Sequence, residues 1–433
     1  MAAHATSPGF SVRAFLGRED LRDRRVLLHT SIFLVAFVAL FLRRPDAILN
    51  AQFYAEDGKY WFADAHNLGW QCLFMPVGGY LNSLSRLIGL LALLFPFAIA
   101  PLVMNLCAIF FQILPVHILL SKRFDWIQWD LRLFSGGLYL ALPNSYELHA
   151  NTTNIQWHLA LIGCMLLLSS PPSGSGWRAR LFDVTVLAVL SIDGPLGILL
   201  IPMAAALWWT RRETPLKFSL LALVPGSVLQ LLIVALSHSR RPAPNGETLS
   251  GLIGILGLQV FFSSLLGSKT ALGLMVVDDR LLYLIEIVAT LLGLSVLIYA
   301  LRKAPLQLKL FICFSVSVLA VALLRPLATT DGMRVQWVML QTPGIGTRYY
   351  FFPMVAFLAS LIWMASGSRG GLPRYAAITL LLLLPIGICR DWAYPRFIDL
   401  NFPRYAAEFQ RAAPGRTVRI PINPDWQMQL TKR

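Results

Sequence analysis

The sequence predicts an all-α polytopic membrane protein of about 11 transmembrane helices, with interfacial helices on one face and a small C-terminal β-hairpin cap. Three observations carry that prediction. Of 433 residues, 56% are apolar and only 14% charged, and the mean hydropathy is +0.62, a composition outside the range of soluble domains. Apolar runs approaching the length of a bilayer crossing recur along the chain. The breaks between them are short and hold basic residues or Pro and Gly, so a reaction centre has to be built from loops and helix ends.

The first 25 residues hold Arg13, Arg18, Arg22, Arg24 and Arg25 with no small-residue cleavage pattern before the first apolar run, so 26–42 reads as a retained span. Further spans are expected near 98–120, 131–143, 155–169, 181–192, 195–210, 218–236, 283–301, 310–325, 349–366 and 374–389. The basic breaks at 121–132, 175–180, 211–217, 302–309 and 366–374 belong on the cytoplasmic side by the positive-inside rule. Were 80–97 and 251–268 also to cross, parity would put several of these breaks outside. Both are therefore read as re-entrant or interfacial excursions, with a 13-helix body as the alternative. Three regions result: a basic cytoplasmic N-terminus (1–25), a membrane body (26–389) that includes a first outer loop (45–97), and an outer C-terminal cap (390–433). In a bacterium this is the inner membrane, with the N-terminus inside and the C-terminus periplasmic.

That topology collects the polar segments 45–97, 144–154, 237–280, 326–347 and 390–433 on the outer face. In the last of these, Thr417–Asn423 and Trp426–Leu430 alternate apolar and polar residues on either side of Asn423-Pro424-Asp425, the pattern of a hairpin. It either covers a site or seals helix ends.

The net charge of +15 is scattered over helix ends, which argues against nucleic-acid binding and for orientation and attraction of anionic lipid. Twelve Trp and twelve Tyr suit interfacial anchoring as well as sugar stacking. The five cysteines, Cys72, Cys107, Cys164, Cys313 and Cys389, are too dispersed for a metal motif or a structural disulfide. Gly267-Ser268-Lys269-Thr270 lacks the glycine pattern of a nucleotide loop.

Directly after the first span lies Phe53-Tyr54-Ala55-Glu56-Asp57-Gly58-Lys59-Tyr60-Trp61. Adjacent carboxylates at a membrane face suit general-base work, with Asp57 the first choice and Glu56 beside it to hold a cation or orient Lys59. The alternative is a solvated helix cap. On a helix over 56–68, Tyr60 and Asp64 would share the face of Asp57, and His66 would donate to a leaving phosphate or be an ordinary interfacial histidine. The second outer loop supplies Glu147, His149, Asn151, Asn154, Trp157 and His158, amides and rings able to bind sugar hydroxyls or to join helices to one another. Asp193, in an Asp-Gly-Pro turn, is read as a cap. Phosphate would need cations on the same side: Lys269, Arg280 and Arg348, the last entering a span beside Tyr349 and either gripping phosphate or snorkelling. A divalent cation, Mg or Mn, would bridge Glu56 or Asp57 to a lipid phosphate; its other ligands are not specified by spacing.

The basic N-terminus, the first span, the long first outer loop opening on Phe53-Tyr54-Ala55-Glu56-Asp57-Gly58, its interfacial-helix material and the expected 11 spans together resemble the C-type superfamily of polyprenyl-phosphate-sugar-dependent integral-membrane glycosyltransferases (GT-C), most loosely its bacterial cell-envelope branch. The likeness covers about 390 residues as architecture, and its sequence-specific part is the short acidic motif. The superfamily keeps an essential acid in the first outer loop, a role the resemblance gives to Asp57 or Glu56. The chain departs from it in having neither the large soluble C-terminal domain of oligosaccharyltransferases nor the full motifs of protein mannosyltransferases. The resemblance implies a polyprenyl-phosphate sugar as donor, an envelope glycan or lipid as acceptor, membrane lipids as surroundings, and displacement with inversion. The rival reading is a transporter or lipid-linked-sugar flippase.

Overall fold

A computed structural model of the chain describes residues 18–169, 176–237, 244–276, 278–328, 333–367 and 371–433. The protein is a bundle of apolar helices, many of whose outward faces are also apolar, such as Leu34, Val35, Leu221 and Leu291. A helix that is apolar on all sides is matched to lipid.

The bundle opens with α1 (Arg18–Arg43). A loop follows that carries α2, whose first turns are π-type (Asp57–Phe62) and whose remainder is Ala63–Leu68, and α3 (Ser83–Ala92). Next come α4 (Ala100–Leu119), α5 (Trp129–Leu140), α6 (Ile155–Leu168), α7 (Trp177–Ser191), α8 (Leu196–Arg211) and α9 (Thr214–Leu236). The second half holds α10 (Leu249–Leu266, with a π-type stretch at Ile255–Phe262), α11 (Asp279–Lys303), α12 (Leu306–Leu324), α13 (Thr347–Ser366), α14 (Leu372–Leu381) and α15 (Leu384–Asp391). The last pair is one crossing, interrupted just before Pro385. The chain ends with α16 (Phe402–Arg411) and the hairpin of β1 (Thr417–Ile422) and β2 (Trp426–Thr431), paired antiparallel from Thr417 opposite Thr431 to Ile422 opposite Trp426.

Among the described residues eight units are long and apolar enough to cross a membrane: the apolar part of α1, then α4, α9, α10, α11, α12, α13 and α14 with α15. The tertiary contacts separate α10 from the others. Before it, Asn245 donates to the Leu324 carbonyl at the end of α12 (2.9 Å); after it, Ser268 N–H donates to Asp391 at the end of α15 (2.6 Å). The end of α12 meets the start of α13, where Arg348 donates to the Leu327 carbonyl, and α14 packs back along α13. Both acceptors therefore lie at one face. Both flanks of this 18-residue helix are thus held at one face, while Phe261 in its middle lies 5.1 Å from Phe357, halfway along α13. The α3 segment stays at that face too, with Ser83 N–H on the Ile192 carbonyl and the Ser85 hydroxyl on Thr152.

The remaining helices alternate in direction. His29 of α1 lies 4.5 Å from His117 of α4, and Phe33 lies 6.1 Å from Phe110, so α1 and α4 are antiparallel. Among the described residues the alternating helices are α1, α4 to α9, α11 to α13 and the α14–α15 unit. Loops 44–99, 141–154 and 192–195, the α12–α13 connection and the C-terminal segment from Trp392 meet at one face. At the start of this face Arg43 ties α1 to α5 and α15 by donating to Leu140 (2.8 Å), Leu142 (3.0 Å) and Asp391 (3.2 Å). On the opposite face Arg123 pairs with Asp183 at 2.6 Å.

Candidate functional site

The hairpin positions the acidic motif. Asn423, in its turn, accepts from Ala55 N–H through its carbonyl and donates its own N–H to Phe53, so the Phe53–Ala55 strand lies along the turn. The Asn423 side chain in turn binds Ile398 N–H and carbonyl, both at 2.9 Å. Ala55 sits at φ 45°, a strained value for a residue with a Cβ, and this bend sends the chain into α2. Gly58 fits there because a Cβ would come within 3.0 Å of both Phe53 and Ile422 of the hairpin.

The bend separates the two adjacent carboxylates. Asp57 turns inward and is 1% exposed. Its Oδ1 accepts from Thr153 N–H (2.8 Å) and the Thr153 hydroxyl (2.7 Å), and its Oδ2 from Thr152 N–H (2.8 Å). Burial pushes its pKa from 3.8 up to about 6, with the hydrogen bonds from Thr153 and Thr152 pulling the other way. Trp61, one turn on, donates to the same Thr153 hydroxyl at 3.0 Å. Asp57 thus docks loop 141–154 onto α2.

Glu56 is half-buried and hydrogen-bonds to no other described residue. Its charge acts on the Tyr54 phenol and the Arg348 guanidinium. Tyr54 stacks on Phe397 at 5.1 Å and its pKa is pushed up to about 12, first by burial and next by the field of Glu147. Tyr146 lies in the fields of Glu147, Tyr54, Arg44 and Arg348, and burial raises its pKa. One open carboxylate, two phenols and two guanidiniums thus share one patch of the loop face.

Most of the expected substrate ligands are spent on structure. Asp64 pairs with the fully buried Arg86 at 2.8 Å. His66 Nε2 lies 3.1 Å from the Thr431 carbonyl, holding β2 to α2, with its pKa lowered by burial. Tyr60 is half-buried and packs beside Trp61, and Lys59 lies over the rings of Tyr60 and Trp426, not against Glu56. His149 is buried between Gln112 (3.1 Å) and the Tyr394 ring. Asn151 and Asn154 both donate to the Glu147 carbonyl at 2.7 Å, and Asn154 to Asn151 at 2.9 Å, so these amides knit the loop to itself. His158 bridges Tyr139 and the Leu148 carbonyl. Trp157 is buried against Tyr349 and Phe352, which removes it as an open stacking platform.

The cations are redistributed as well. Glu147 caps α13, accepting from Gly346 N–H and Arg348 N–H (3.2 Å each) and from the Arg348 side chain (3.4 Å). Arg348 also donates to Leu327 (2.7 Å) and to the Tyr349 hydroxyl (3.2 Å), and that hydroxyl accepts from Leu327 N–H. Arg348 and Tyr349 therefore brace the α12–α13 connection. Lys269 donates to the Ala393 carbonyl at 2.9 Å. Arg280 is exposed at the start of α11, its N–H bound by Asp278. Asp193 accepts from Leu84 N–H (2.9 Å), tying the α7–α8 turn to α3. Among the described residues no three His, Cys, Asp or Glu side chains converge as a metal-ligand set.

Sequence reasoning passed over Arg44, Tyr54 and Tyr146. The Arg43-Arg44 pair at the end of the first apolar run and the aromatic next to each acid, Tyr54 and Tyr146, were the available signals. The chain matches no protein-family model, and no curated protein matches it. The fold and the loop face define a polytopic helical membrane protein with a charged aromatic patch at one membrane surface.

Proposed function

We propose that this protein transfers a sugar from a polyprenyl-phosphate donor to a hydroxyl of an envelope glycan or lipid, on the membrane face that carries Glu56. The observation that carries this reading is the contrast between the two neighbouring acids: Asp57 is saturated by three donors, while Glu56 hydrogen-bonds to no other described residue and lies in the field of Arg348 and Tyr54. A carboxylate so placed suits general-base work at a site where phosphate leaves.

In the reaction, the acceptor hydroxyl gives its proton to the Glu56 carboxylate as its oxygen bonds to the anomeric carbon. The bond from that carbon to the phosphate oxygen breaks, and the electron pair leaves on the prenyl phosphate. Direct displacement inverts the anomeric centre. Phosphate is a competent leaving group, so one base with positive charge nearby suffices, without the paired carboxylates used on glycosidic bonds. The short connections at the opposite face carry basic residues next to the helix ends, Lys122 and Arg123, Arg211 and Arg212, and Arg302 and Lys303 among them, which supports a cytoplasmic assignment for that side. The reaction face is then periplasmic in a bacterial inner membrane, with the N-terminus inside and the C-terminus outside.

The test reconstitutes the full chain in proteoliposomes with radiolabelled prenyl-phosphate hexoses and pentoses and an envelope lipid extract as acceptor. Transfer of label with release of free prenyl phosphate supports the reading. Label that crosses the bilayer with its phosphate bond intact identifies a flippase instead and overturns it.

A further inference from the structure

Arg43 and Arg44 are chain neighbours with opposite fates. Arg43 donates to four carbonyls, those of Leu140, Leu142, Asp391 and Trp392. Arg44 is equally inaccessible, at 4% exposure, yet among the described residues its guanidinium makes no hydrogen bond and no ion pair. Asp46, two residues on, directs Oδ2 to Phe397 N–H instead. Arg44 lies over the faces of Phe397 (4.5 Å) and Tyr394 (5.6 Å), contacts of about 0.5–2 kcal/mol. Desolvating an unpaired cation costs several kcal/mol, so these rings offset only part of the cost. Burial accordingly pulls the Arg44 pKa down, while Asp46, Tyr394, Tyr54 and Tyr146 pull it back up.

The surroundings match one kind of ligand. A guanidinium edge presents parallel N–H donors suited to the oxygens of a carboxylate or phosphate. Tyr54 stacks on the same Phe397 ring that Arg44 lies over, Tyr54 and Tyr146 both act on the Arg44 charge, and the hydroxyl of neither bonds to another described residue. A guanidinium flanked by phenol groups suits the non-bridging oxygens of a prenyl phosphate, of which the sugar-bearing donor has two and the released carrier three. Arg348, the cation expected from sequence to do this, is already engaged with Glu147, Leu327 and Tyr349.

We propose that Arg44, with Tyr54 and Tyr146, forms the binding site for the phosphate headgroup of a prenyl lipid, and that Arg348 braces the site without gripping the phosphate. This rests on the transferase reading for the identity of the lipid, but the anion site itself does not require transfer to occur.

The test measures binding to full-length protein in detergent, using decaprenyl phosphate, decaprenol and inorganic phosphate as probes. For Arg44→Gln, decaprenyl phosphate affinity is expected to fall at least tenfold, about 1.4 kcal/mol, with decaprenol binding unchanged. Arg44→Lys should recover part of the loss, and Arg280→Gln should match wild type. Tyr54→Phe and Tyr146→Phe, which keep the rings, should each weaken phosphate-lipid binding alone. Wild-type affinity of Arg44→Gln for decaprenyl phosphate overturns the proposal. Arg44-dependent binding of inorganic phosphate, with decaprenyl phosphate indifferent to the substitution, overturns the lipid assignment and makes free phosphate the ligand. Intact Arg44-dependent lipid binding without sugar transfer supports the site and counts only against the transferase reading.

Discussion

Asp57→Asn separates a structural carboxylate from a catalytic one, and the separation can be read in stability as a function of pH. Burial raises Asp57 from 3.8 to about 6 in the folded protein. A shift of about two units corresponds to roughly 3 kcal/mol. Its sign follows from linkage: below pH 4 the acid is protonated in folded and unfolded chains alike, and the fold has its full stability. As pH rises from about 4 to 6 the unfolded chain ionises first, and stability falls until the folded carboxyl ionises as well. Asn carries no proton to lose, so relative to wild type the Asp57→Asn protein should gain roughly 3 kcal/mol between pH 4 and pH 7. The assay is unfolding in detergent followed by tryptophan fluorescence, with the two proteins compared at each pH so that other titrating groups cancel. A difference between the two proteins that stays flat across this range refutes the account of Asp57 as a desolvated docking group.

Two further predictions concern the scaffold beneath the site. Asp64→Asn leaves the fully buried Arg86 without its partner and should cost roughly 3 kcal/mol, with Arg86→Met in the same chain restoring part of it; thermal unfolding of the single and double variants checks this. Gly89→Ala places a Cβ against the Trp61 carbonyl, whereas at Gly137 nothing lies within 4 Å. The first should destabilise by roughly 1–3 kcal/mol and Gly137→Ala should be neutral or better, as measured by the same unfolding assay.

The membrane body was legible because it rests on local pattern. Apolar runs between basic breaks mark helices whatever their neighbours, and the alternation on either side of Asn423-Pro424-Asp425 specified the hairpin that β1 and β2 form. Length and apolarity alone would have made α10 a simple crossing, whereas both of its flanks are held at the loop face. The site was legible only as a neighbourhood. Adjacent residues such as Glu56 and Asp57 look equivalent until the strained bend at Ala55 and the π-type turns of α2 fix which one meets Thr152 and Thr153. Asn151 and Asn154 read as sugar ligands, but they are consumed by one another and by the Glu147 carbonyl. Arg43 and Arg44 differ through contacts some 97 to 349 residues away in the chain, which no local window contains.

The most direct test of the central claim is sugar transfer from labelled prenyl-phosphate donors in proteoliposomes, comparing Glu56→Gln with Asp57→Asn at equal folded protein. The account predicts that Glu56→Gln lowers the rate by about 10²-fold or more, the contribution of a general base, while Asp57→Asn keeps transfer within about tenfold of wild type. Full activity of Glu56→Gln, or loss confined to a well-folded Asp57→Asn protein, would contradict it.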